Sequence, residues 1–211
     1  MATVSVERES VPVERIAGVP VDELPIGVGG TSSTAWWGIV FFILTEATLF
    51  AYLFFSYFYL GSRLSQWPQN GAPELELAII NTVILVLSSV PMWFAERVVK
   101  RGRMALFSYL MGAVLLMGIA FLVIEATEWS HQSFTLATNA YSSLFYTITG
   151  FHFAHVTLGL LMVVELLYRA LVGRIDVRRP LAVKNVAAYW HFVGFVWVVL
   201  FLTIYISPRV W

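Results

Sequence analysis

Few side chains in this 211-residue chain have the types and spacing to do chemistry. It has no cysteine, which excludes thiolate zinc, iron–sulfur clusters and covalently attached c-type haem and leaves His, Asp, Glu and Met as metal ligands. His152 and His155 stand three residues apart, about 60° around a helix and so on one face. Histidines on membrane helices can hold haem, but one such pair cannot supply both axial ligands to a single haem. Within the apolar blocks, His191 is the other histidine available. The competing reading has these histidines bonded to a carboxylate, a backbone carbonyl or a lipid headgroup between helices. Glu128-Trp129-Ser130-His131 fits the Glu-x-x-His pattern that di-iron carboxylate proteins use twice. A second copy is missing, and Glu125 adds a carboxylate on the same helix end only. The plainer alternative for Glu125, Glu128 and His131 is a polar helix end facing water or a neighbouring subunit. Glu46 lies inside Leu44-Thr45-Glu46-Ala47-Thr48-Leu49-Phe50, and an ionisable group at bilayer depth costs at least about 2.5 kcal/mol. Proton carriage, lipid anchoring and a hydrogen bond to a neighbouring helix are all open to it.

The elements that position these residues follow from where the apolar residues fall. The chain is 59% hydrophobic and 12% charged, with 13 Lys+Arg balancing 13 Asp+Glu, and its mean hydropathy is +0.77. A soluble domain carries about a quarter charged residues, so this composition excludes one, and the charge balance gives no sign of nucleic-acid binding. The apolar residues form five long blocks: 36–60, 77–95, 106–124, 141–168 and 186–206. Each approaches or exceeds the roughly 20 residues needed to cross about 30 Å of hydrocarbon as a helix, where no water satisfies the backbone. An all-α polytopic membrane protein with five transmembrane helices is expected. Residues 1–35 are charged and carry Pro12, Pro20 and Pro25 followed by Gly27, Gly29 and Gly30. That composition cannot bury enough apolar surface to offset chain entropy, which makes a flexible tail the expectation, followed by one domain over 36–211.

The basic residues orient the spans. Arg8, Arg15, Arg97, Lys100, Arg101, Arg103, Arg169, Arg174, Arg178, Arg179 and Lys184 fall on one side, and Arg63 and Arg209 on the other. By the positive-inside rule the N-terminus is cytoplasmic and the C-terminus outside. Trp36, Trp37, Trp67, Trp129, Trp190 and Trp211 lie near the span ends, where amphipathic rings favour the headgroup layer. No span is broken at mid-depth by a Gly/Pro pair, which argues against a transporter. Pro91 lies near the inner end of its span and is expected to act as a kink.

Across nearly all of 36–206 the chain resembles cytochrome c oxidase subunit III in its shorter, five-helix form. The run from Tyr141-Ser142-Ser143 to Gly150-Phe151-His152-Phe153-Ala154-His155-Val156 is similar to the family's Tyr-Gly-Ser start leading to Gly-Phe-His-Gly-x-His-Val. Tyr189-Trp190-His191-Phe192-Val193, Val196-Trp197 and Ile204-Tyr205-Ile206 match its last helix. Glu125 and Glu128 resemble its paired glutamates, and Glu46 its membrane carboxylate; Trp67-Pro68 and Asn81-Thr82 also fit their places. Two positions depart from the pattern: Gly194 stands where the family has Asp, and Phe153 where it has Gly between the histidines.

The resemblance implies an accessory subunit of a respiratory haem-copper terminal oxidase with no catalytic centre, haem or copper of its own, those cofactors residing in partner subunits I and II. Such a subunit packs on subunit I, holds membrane phospholipid between helices, and supports proton uptake and stability during oxygen reduction. It would lie in the bacterial plasma membrane, with a larger respiratory supercomplex as a further possible setting. Glu46, His152, His155 and His191 become lipid- or helix-contact groups, and Arg169 matches a family arginine that meets acidic headgroups, as basic residues at that depth do. Third subunits of quinol oxidases and a nitric-oxide-reductase-associated homologue share the fold and remain alternatives.

Overall fold

The computed structural model describes residues 15–16, 19–20, 34–69, 71–175 and 180–210. Most of the expected tail, together with Arg8, Arg178, Arg179 and Trp211, lies outside them. Within the tail, β1 (Arg15–Ile16) and β2 (Val19–Pro20) form a two-residue antiparallel pair. Everything else that is regular is helical: α1 (Thr34–Arg63), α2 (Glu76–Val99), α3 (Met104–His131), α4 (Ala140–Leu171) and α5 (Leu181–Phe201). A π-helical segment, Leu202–Ile206, and a 3-10 turn, Ser207–Arg209, extend α5. All five helices are long and apolar enough to span a membrane.

The helices outrun the apolar blocks because the backbone gains nothing by breaking its hydrogen bonds at the edge of the hydrocarbon; they stop where local chemistry stops them. Gly102 and Gly173 take φ of 68° just beyond α2 and α4, the left-handed conformation that glycine adopts at low cost after a helix end. Asn139 opens α4 with a capping box: its side chain accepts from the Ser142 N–H and its own N–H donates to Ser142 Oγ, both at 2.9 Å. Pro91 is accommodated inside a continuous α2. Many serine and threonine hydroxyls inside the spans donate to carbonyls three or four residues back, as Thr48 does to Leu44 and Thr82 to Ala78, which satisfies those donors within their own helix.

Helices α2, α3, α4 and α5 close a ring in which each packs on the next and α5 returns to α2, while α1 lies outside against α4 and α5. Lipid tails are as apolar as leucine, so close packing and interhelical hydrogen bonds must hold the ring. Trp190 of α5 supplies much of this. Its indole lies against Gly118 of α3 and Gly159 of α4, where an added Cβ would stand 2.9 and 3.0 Å from the ring, and its Nε1 donates to Ser88 Oγ of α2 at 2.9 Å. Two turns further on, Trp197 Nε1 donates to Thr82 Oγ1 at 2.9 Å. By contrast, α1 buries only Phe50, Tyr57 and Gly61.

Candidate functional site

The polar residues of the spans fall into two separate places. The first is the seam between α1 and α4. The packing of α4 turns His152 into the ring, towards α5, and His155 towards α1. His155 Nε2 lies 2.8 Å from Glu46 Oε2, and its Nδ1–H donates to the Phe151 carbonyl at 2.6 Å. With Nδ1 so engaged, Nε2 and the carboxyl can bond only by holding one proton between them, on either partner. The pair is neutral as a unit, which is how an ionisable group persists at bilayer depth. Side-chain exposure is 11% for His155 and 20% for Glu46, so the pair is largely buried but partly open at the outer edge of the seam. Phe50 packs edge-on to His155 with ring centroids 5.0 Å apart, and Tyr189 OH donates to the His155 carbonyl at 3.3 Å.

His152 does a different job. It is buried, its Nε2–H donates to the Val193 carbonyl of α5 at 3.2 Å, and its ring rests on Trp197 and Phe121 at 5.0 and 5.6 Å. It ties α4 to α5 inside the ring. His191 faces Ser89, Val90, Trp93 and Phe94 of α2 instead. The structure thus sends the three span histidines to three neighbourhoods and assembles no pair of axial ligands.

The second place is the end of the ring away from the basic loops. The expectation that Glu125 and Glu128 face water or a neighbouring subunit is corrected here: their exposures are 1% and 3%, because α3 runs to His131 and turns both inward. Asn81 Nδ2 of α2 donates to Glu125 Oε2 at 3.1 Å, and Tyr205 OH donates to Glu128 Oε1 at 2.6 Å. Tyr205 reaches Glu128 from the π-helical segment, whose extra residue per turn re-phases the end of α5. Glu125 Oε1, Glu128 Oε2 and Asn81 Oδ1 have no hydrogen-bond partner. His131 is exposed and takes no part in these bonds; with Glu74, Glu128 and Gln132 it borders a cavity of about 210 Å³. The Glu-x-x-His run does not build a metal centre: among the described residues, no group of three or more His, Asp or Glu side chains is placed to hold an ion.

At the basic end, exposed Arg169 donates through Nε to Glu165 Oε1 at 2.7 Å, a partner one turn back. Sequence reasoning missed this pair, although Glu165 and Arg169 at i and i+4 signalled it. It also missed Tyr205 as the partner of Glu128, for which the sequence carries no signal. Of the two departures, Phe153 packs tilted against Trp129 of α3, with ring centroids 5.2 Å apart. At Gly194 a Cβ would stand in ordinary contact, 3.6 Å from Ser89 Oγ.

Comparison with known proteins matches this arrangement to one family. A family model described as cytochrome c oxidase subunit III covers residues 31–208. Cytochrome c oxidase subunit 3 of Synechocystis sp. is 36% identical over 183 residues, 85% of this chain and 78% of that protein. The Thermostichus vulcanus protein of the same name is 31% identical over 174 residues, covering 82% and 87%, and that of Drosophila yakuba is 32% identical over 179 residues, covering 80% and 68%. Five membrane-length helices, matched by the family model from before the start of α1 to the last turn after α5, place this chain in the cytochrome c oxidase subunit III family.

Proposed function

We propose that this chain is the accessory, non-redox third subunit of a respiratory haem-copper terminal oxidase in a bacterial plasma membrane, with its N-terminus in the cytoplasm. It packs on subunit I within a complex that also contains subunit II, and haem and copper are carried by those partners. The chain holds phospholipid along the α1 seam and supports proton supply and stability during oxygen reduction. The relatives above are named for cytochrome c oxidase, which favours cytochrome c over quinol as the donor to the complex and oxygen over nitric oxide as its acceptor. The observation that carries the reading is the Glu46–His155 pair, 2.8 Å apart and half-buried at a lip between α1 and α4. It is a hydrogen-bonded acid–base couple placed within the apolar length of two spans.

The test is purification through a tag on this chain, with identification of companion polypeptides, optical spectra and phospholipid analysis. Subunits I and II are expected to copurify, with haem and copper stoichiometric to subunit I. In His155→Ala the oxidase spectra should be intact while retained phospholipid or subunit association falls. A chain that purifies alone with a stoichiometric Soret band or bound iron would overturn the reading. Unchanged lipid content and complex stability in His155→Ala would remove the lipid role.

A further inference from the structure

Along the α2–α5 edge of the ring, away from Glu46 and His155, α2 and α5 leave a shallow groove of about 340 Å³ lined by Ser89, Val90, Trp93, Phe94 and His191. No charged side chain lines it. At the basic end of α2, just beyond the lining, Arg97 lies with its guanidinium 3.0 Å from the centroid of the Trp93 ring, so a cation is held by an aromatic face against one of the wall residues. The same corner carries Lys100, bonded to Glu96 at 3.6 Å, followed by Arg101 and Arg103 in the turn to α3. Positive charge therefore exceeds negative there. Arg97 lies two residues from the end of α2, at the depth of a headgroup, while Val90 and Ser89 lie about two turns deeper.

We infer that this groove seats one anionic phospholipid, its phosphate on the Arg97 guanidinium and one acyl chain along Val90, Trp93 and Phe94 as far as Ser89 and His191. A phosphate at the mouth and hydrocarbon along the walls match a single amphiphile in both charge and polarity. A partner transmembrane helix laid in the same groove would bring apolar surface over Arg97 and strip its water without neutralising it. The inference deepens the lipid-holding reading given above by adding a second seat that shares no residue with Glu46 and His155.

The experiment uses the intact complex purified through this chain, with native mass spectrometry and phospholipid quantification. Arg97→Gln removes the charge and Val90→Trp fills the groove; each is expected to lose about one anionic phospholipid per complex with polypeptide composition unchanged. A benzophenone side chain installed at Val90 should crosslink to lipid. A full lipid complement in both Arg97→Gln and Val90→Trp overturns the proposal, and so does crosslinking from position 90 to a polypeptide. Failure of the oxidase reading shows separately, as absent companion subunits in the unmutated preparation, whose lipid count still decides the groove.

Discussion

Two carboxylate sites in one bundle have met the cost of burial in opposite ways. At the α1 seam Glu46 is 20% exposed and has a basic partner in His155. At the far end of the ring Glu125 and Glu128 are sealed to 1% and 3% and have only neutral donors, Asn81 and Tyr205. The seam is a place where one helix meets a finished ring. A shared proton there satisfies both groups without demanding tight closure. Inside the ring, helices approach closely enough for a hydroxyl and an amide to be held in place, so acceptor oxygens can be buried with single neutral bonds. The seam leaves its pair partly exposed, and the ring end joins residues of α2, α3 and the extension of α5.

The largest effect should come from breaking the seam pair one member at a time. Glu46→Ala or His155→Ala leaves its partner at bilayer depth without compensation, at about 2.5 kcal/mol, which should shorten the thermal half-life of the detergent-solubilised complex. The double variant should recover most of that loss, because what is costly is the orphan. Additive losses in the double-mutant cycle would show that the two groups act independently and would dissolve the contrast drawn above. Next in size, Gly118→Ala should cost about 1–3 kcal/mol by overpacking: its Cβ would meet Leu160 at 2.5 Å and Trp190 at 2.9 Å. Its thermal midpoint should fall, whereas an unchanged midpoint would mean that the ring is looser than its contacts indicate.

Glu128→Leu strands the buried Tyr205 hydroxyl, a loss of about 1–2 kcal/mol that Glu128→Gln should largely avoid, since the amide oxygen still accepts. Equal loss in both variants would point to the charge of Glu128, and not to its hydrogen bond, as what matters. The smallest effect is expected at Gly38 of α1, where an added Cβ meets nothing within 4 Å. Gly38→Ala should be neutral or stabilising by about 0.5–1 kcal/mol through helix propensity alone. A loss there comparable with that at Gly118 would erase the distinction between an open seam and a closed ring.

The spans were legible because length and apolarity are sufficient for a helix when no water competes for the backbone. Their ends were less so: α3 runs on to His131 and α5 begins at Leu181, since a helix does not stop where hydrophobicity stops. Glu46 and His155 stood out as costly residues, yet their pairing across 109 residues needed two helices in register. Glu125 and Glu128 read as a solvent-facing end because polar residues clustered there. Their burial depends on α2 and the tail of α5 closing over them.

What the sequence determined by itself was the class of molecule, the order of its helices, and which few ionisable groups had to find partners, because each follows from free energies local to a segment. Only the tertiary structure decided who those partners were. Helix phase, the indole of Trp190 seated against two glycines, and the π-helical turn that carries Tyr205 inward are products of packing between distant segments, and no local preference encodes them.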